Sequence, residues 1–152
     1  MATQFASQAQ EQVFQKVGLY LKELYGETVE QVEDKPIFLL ALGSAAASIS
    51  VLPWGQDAVV TVRAWVVFGP RISLELCQFL LRENGRLQFG AFGLAGDHDV
   101  CFRYSLVGST LDREELGAAV RAVLGTADDF DDVIKARFGG QRAIDVVRED
   151  ET

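Results

Sequence analysis

Residues 86 to 106, Arg86-Leu-Gln-Phe-Gly-Ala-Phe-Gly-Leu-Ala-Gly-Asp-His-Asp-Val-Cys-Phe-Arg-Tyr-Ser-Leu106, read as two strands joined by a tight turn. In Ala95-Gly96-Asp97-His98-Asp99 the glycine tolerates positive φ and the aspartates can bond nearby amides, so the chain can reverse within a few residues. In the second half Val100, Phe102, Tyr104 and Leu106 alternate with Cys101, Arg103 and Ser105, the period-two pattern of an antiparallel strand with one face in the core. In the first half Gly90 and Gly93 surround Phe92 and mark a bulge or the close approach of another segment. Such a hairpin argues for an antiparallel sheet.

Upstream, Ala58 to Phe68 is β-branched and apolar on both faces except at Thr61 and Arg63, as a central strand would be. Ile37–Leu42 and Ala46–Leu52 supply two more strands, with turns at Asp34-Lys35-Pro36, Gly43-Ser44 and Pro53 to Asp57. Before them, Val13, Val17, Tyr20, Leu21 and Leu24 recur at helical spacing, with Ser7 as N-cap and Gly26 as the exit. Between the central strand and the hairpin, Ser73–Asn84 is helical, with Leu74, Cys77, Leu80 and Leu81 as its expected buried stripe. After the hairpin, Thr110 or Asp112 caps a long helix whose stripe runs from Leu116 through Val133 to Phe138 and stops at Gly139-Gly140. The predicted fold is α+β: one domain over residues 1–140, a five-stranded antiparallel sheet in the order α-β-β-β-α-β-β-α with helices packed on it, and a polar tail over 141–152.

Composition narrows the function. With 14 basic against 22 acidic residues the net charge is −8 and the cations are scattered singly, which argues against nucleic-acid partners and anionic lipid. The apolar run from Pro36 to Pro53 is broken by Gly43, Ser44, Ser48 and Ser50, and no stretch reaches the ~20 residues needed to cross a bilayer. The N-terminus lacks the basic start and apolar run of a secretory signal, so a cytoplasmic location is expected. Cys77 and Cys101 have no paired ligand spacing and read as reduced, buried thiols.

The element order, the segment Phe89-Gly-Ala-Phe-Gly-Leu94 with its following strand, and the closing Ala127-Asp-Asp-Phe-Asp-Asp132 to Phe138-Gly-Gly140 resemble YbjN-like domains, which share the fold of type III secretion chaperones. The likeness covers most of residues 7–140. It implies a small cytosolic chaperone or regulator that binds a partner polypeptide segment and commonly dimerises. It carries over no catalytic residues.

The residues themselves offer little chemistry. His98, the single histidine, stands between Asp97 and Asp99 in a turn that brings no further ligands together, so it reads as solvated. Asp128, Asp129, Asp131 and Asp132 surround Phe130 in a pattern that suits the acidic outer face of a helix better than a calcium loop. Gly90, Gly93 and Gly96 match neither a dinucleotide fingerprint nor a P-loop. No enzyme, metal or cofactor is therefore expected. The candidate binding surface is the sheet face carrying Arg63, Trp65 and Thr61, with Val67 on the same side, and Arg103 brought alongside by antiparallel order. There a partner protein segment would find an aromatic anchor and two guanidinium groups in an otherwise acidic protein, and the two-sided apolar central strand adds the expectation of a homodimer. The competing reading is a small-molecule or lipid sensor, which would need a hollow of at least ~300 Å³ between helices and sheet.

Overall fold

The computed structural model describes residues 2–42 and 45–150, so the turn expected at Gly43-Ser44 lies outside the described residues. Helix α1 (Gln8–Tyr25) begins at Ser7, whose hydroxyl accepts from the Gln10 amide, and ends at Gly26 with φ of 61°. A short 3-10 turn leads into β1 (Val29–Gln31), β2 (Ile37–Leu42), β3 (Ala45–Trp54) and β4 (Asp57–Phe68). Helix α2 (Leu74–Asn84) precedes the hairpin of β5 (Ala91–Ala95) and β6 (Asp99–Val107), and α3 (Arg113–Phe138) follows behind a capping box formed by Asp112 and Glu115. The chain continues as β7 (Gln141–Arg142) and α4 (Ala143–Asp150).

The sheet is antiparallel in the order β1-β2-β3-β4-β6-β5, with β7 paired to the end of β4. Among the described residues it has seven strands where five were expected. The additional two, β1 and β7, are three and two residues long, too short for alternation to announce them. Residues 141–142, read from the sequence as part of a polar tail, pair with Val67 and Phe68. Gly140 makes that crossing: its φ is 86°, and a Cβ there would stand 2.6 Å from the Phe68 carbonyl oxygen.

Helices α1 and α3 pack on one face of β3 and β4, α3 also on β6, while α2 packs on β5. Beneath them lie Leu40, Ile49, Val51, Val60, Val62 and Phe102, each almost wholly buried. Rings tie the far end together, with Phe92 5.0 Å from Phe102 and 5.1 Å from Phe130, and Phe79 5.8 Å from Phe138.

Side assignments in α2, β4 and α3 differ from expectation; in α3, Val133, expected on the buried stripe, is exposed. In α2 the buried residues are Leu76, Phe79 and Leu80, while Leu74 and Leu81 are 73% and 71% exposed. The helix carries two overlapping apolar stripes, and the ring of Phe79, seated against Phe130 and Phe138, selects the one that faces inward. In β4 the register shifts between Trp65 and Val67, a bulge that buries both Val66 and Val67 and removes Val67 from the face it was expected to share with Trp65.

Candidate functional site

The sheet face turned away from α1 and α3 is laid out in rows by the strand register. Leu52, Val59 and Val107 form an apolar row at one end. Next comes a hydroxyl row of Ser50, Thr61 and Ser105, in which the Thr61 and Ser105 hydroxyls lie 2.9 Å apart. The third row crosses six strands as Glu30, Leu39, Ser48, Arg63, Arg103 and Ala91. Trp65, Cys101 and Gly93 form the last. Leu39, Leu52 and Val107 are exposed, and Trp65 is 37% exposed.

All three residues singled out from the sequence meet on this face. Arg63 and Arg103 are direct cross-strand partners, both exposed. The Arg63 guanidinium lies 4.4 Å from the centroid of the Trp65 ring, close enough for a cation–π contact that steadies both side chains. Among the described residues no carboxylate forms an ion pair with Arg63 or Arg103. Two like charges set directly opposite across a strand pair repel, so this pairing carries a local electrostatic cost. Cys101, the cross-strand partner of Trp65, is buried, its thiol donating to the Gly93 carbonyl at 3.6 Å. Burial pushes the Cys101 thiol pKa up despite the two neighbouring guanidiniums, which keeps it protonated and weakly nucleophilic.

Beside Trp65 the face is hollowed. A groove of about 420 Å³ has small residues, Ala41, Ala46 and Ser48, in its floor, with Leu39 at one wall and Arg63 and Trp65 at the other. On the helix side of the sheet a smaller cavity of about 80 Å³ reaches the same tryptophan, lined by Ala64, Phe68, Leu124, Asp131 and Ile144. Sequence reasoning passed over the groove because its floor is made of residues without a chemical signature; only the register places Leu39 across from Arg63. Asp131, expected on a solvated helix face, is instead buried. It lies four residues after Ala127 and three before Ile134, squarely on the inward stripe of α3. Its carboxylate accepts from the Asp132 amide at 2.6 Å, yet burial raises its pKa above the usual carboxylate value. His98 stands in the hairpin turn beyond Gly96 and Asp97, whose φ values are 56° and 60°. Among the described residues no group of His, Cys, Asp or Glu side chains is arranged to hold a metal ion, and no helix is long and apolar enough to cross a membrane.

The family model described as T3SS (YopN, CesT) and YbjN peptide-binding chaperone 1 matches residues 11–146. The chain belongs to this family. The match extends past Gly140 to residue 146, within α4. Among solved structures, this family member is similar to the crystal structure of the ExsC–ExsE complex, with a TM-score of 0.64 at 13% identity over 82% of this chain and 95% of that one. It is similar also to the Yersinia pestis type III secretion chaperone SycH in complex with a stable fragment of YscM2, with a TM-score of 0.58 at 12% identity over 77% and 98% of the two chains. YbjN from E. coli gives a TM-score of 0.57 at 16% identity over 80% and 87%. At these identities the likeness is one of fold. No functionally curated protein is matched.

Proposed function

We propose that this chain is a non-enzymatic, cytoplasmic chaperone that holds an extended segment of a partner protein against the uncovered face of its sheet, with Trp65 as the anchor and Arg63 and Arg103 beside it. The observation that carries the reading is the groove at Trp65: a hollow with a small-residue floor, an exposed aromatic wall and cations without acidic partners, on a sheet that a peptide-binding family shares. Two of the similar structures are themselves complexes, with ExsE and with a fragment of YscM2. The sensor reading finds less support at Trp65, where the cavity between α3 and the sheet is about 80 Å³, against the ~300 Å³ expected of a ligand pocket; it would have to use the groove of about 430 Å³ that Tyr104, Leu106 and Ala119 line between β6 and α3.

A homodimer belongs to the same reading, joined through α2, where Leu74 and Leu81 are exposed on one helix face with Cys77 between them.

The test of the binding surface is the double change Trp65→Ala with Arg63→Ala. Circular dichroism and the melting curve should stay close to those of the wild type, while capture of the partner from native cytosol weakens about thirtyfold, the effect of losing an anchor worth ~2 kcal/mol. Loss of the fold would assign Trp65 to the core. Undiminished capture by a folded variant would move the binding surface elsewhere.

A further inference from the structure

The arginine row on the uncovered sheet face sets the chemistry of what can lie there. Resting on the peptide-binding reading, we infer that the bound segment carries an acidic side chain clasped between Arg63 and Arg103, with a bulky apolar side chain two positions away seated in the groove beside Trp65.

The protein carries a net charge of −8, so an acidic segment is repelled by the molecule as a whole and needs a local reason to bind. Arg63 and Arg103 provide one. They face each other across the β4–β6 pair at the centre of the uncovered face, both exposed, and among the described residues neither has a carboxylate partner. The acidic residue of their own row, Glu30, lines the same groove from β1, three strands from Arg63, and forms no ion pair with either arginine. A carboxylate placed between the two guanidiniums would accept charge-assisted hydrogen bonds from both and remove the repulsion between them. A cationic or purely apolar segment would leave that repulsion in place.

Spacing then joins the acid to the apolar residue. Ser48 in the groove floor is the cross-strand partner of Arg63 on the side away from Arg103. From the midpoint between the two arginines to Ser48 is about one and a half strand spacings, roughly 7 Å. That is the distance between alternate side chains of an extended chain, ~6.6 Å. A segment crossing the strands thus sets an acid over the arginines and the side chain two positions away over Ala46 and Ser48, against the Trp65 ring. The groove, at about 420 Å³, has room for a leucine or an aromatic ring.

The test is selection of a phage-displayed random twelve-residue library on the immobilised full chain, repeated on a variant carrying Arg63→Gln and Arg103→Gln whose fold is verified by circular dichroism. The expected result is enrichment by the wild type of sequences with Asp or Glu two positions from Leu, Ile, Phe or Trp, and loss of the acidic preference with the variant. A synthetic peptide of the enriched sequence should bind at least tenfold more weakly when its acid is replaced by the amide, and more weakly as salt rises from 50 to 500 mM. Enriched peptides without an acidic preference, or the same preference on the variant, would overturn this inference and leave the peptide-binding reading standing. Failure of the wild type to enrich any sequence would overturn that reading, and this inference with it.

Discussion

At the scale of single residues, two buried polar side chains decide how helices seat on the sheet. Gln10 donates from Nε2 to the Val51 carbonyl at 2.8 Å and accepts from the Ala6 amide at 2.7 Å, so one side chain joins α1 to β3 and closes the N-terminal turn. Gln10→Ala should cost about 1–3 kcal/mol, because it strands a buried carbonyl, and denaturant titration would read the loss directly. Asp131 acts in the opposite direction. Because burial raises its pKa in the folded chain, the fold binds that proton more tightly than the unfolded chain does. Its contribution favours folding below the unfolded carboxylate pKa and is lost as the pH climbs through the folded value. At neutral pH the buried charge is therefore a liability. Asp131→Asn should raise the melting temperature at pH 7, and the difference should shrink as the pH falls towards 4; a growing difference at low pH would show that the carboxylate is stabilising, and an unchanged one that its ionisation is not linked to folding. Both positions were legible only in phase. Gln10 and Asp131 fall on the inward stripes of their helices, so spacing points to their burial where residue type points to solvent.

At the scale of elements, the hairpin that decides the fold also shows where sequence reading stops. The alternation from Val100 to Leu106 places each side chain correctly, and the turn falls at Gly96 and Asp97 as its chemistry requires. The first strand is shorter than expected, beginning at Ala91. Gly90 explains why. Its φ is 79°, and a Cβ there would come within 2.8 Å of the Phe102 ring and the Arg103 carbonyl. The preceding residues therefore leave the sheet. The outer edge of β5 is met by the Asn84 side chain, which accepts from the Phe92 amide at 2.7 Å and donates to its carbonyl at 3.2 Å. Gly90→Ala should lower stability by roughly 1–3 kcal/mol from the backbone conformation alone, with a further loss from the ring contact, seen as a melting point several degrees lower. Gly93, by contrast, has only the Cys101 sulfur at 3.9 Å and imposes no such constraint. The phase of α2 was not recoverable from spacing, since Leu74, Leu81, Leu76 and Phe79 offer two stripes, and only the rings of α3 choose between them.

At the scale of the whole molecule, the proposed function gives two surfaces separate work: the exposed stripe of α2 for self-association and the uncovered sheet face for a partner. Sedimentation of the wild type at high micromolar concentration should give a species of twice 16.7 kDa, and the double change Leu74→Asp with Leu81→Asp should return it to 16.7 kDa with an unchanged circular dichroism spectrum. A wild-type chain that sediments only at 16.7 kDa would refute the dimer. The central claim, that an extended segment lies across the sheet face, is tested most directly by titrating the isotopically labelled chain with a peptide enriched by the selection described above and following backbone amide signals. The account predicts the largest shifts at Leu39, Ser48, Arg63, Trp65, Cys101 and Arg103, with α2 nearly unmoved. Shifts concentrated along α2, or in the groove of about 430 Å³ that Tyr104, Leu106 and Ala119 line between β6 and α3, with the Trp65 face unchanged, would contradict it.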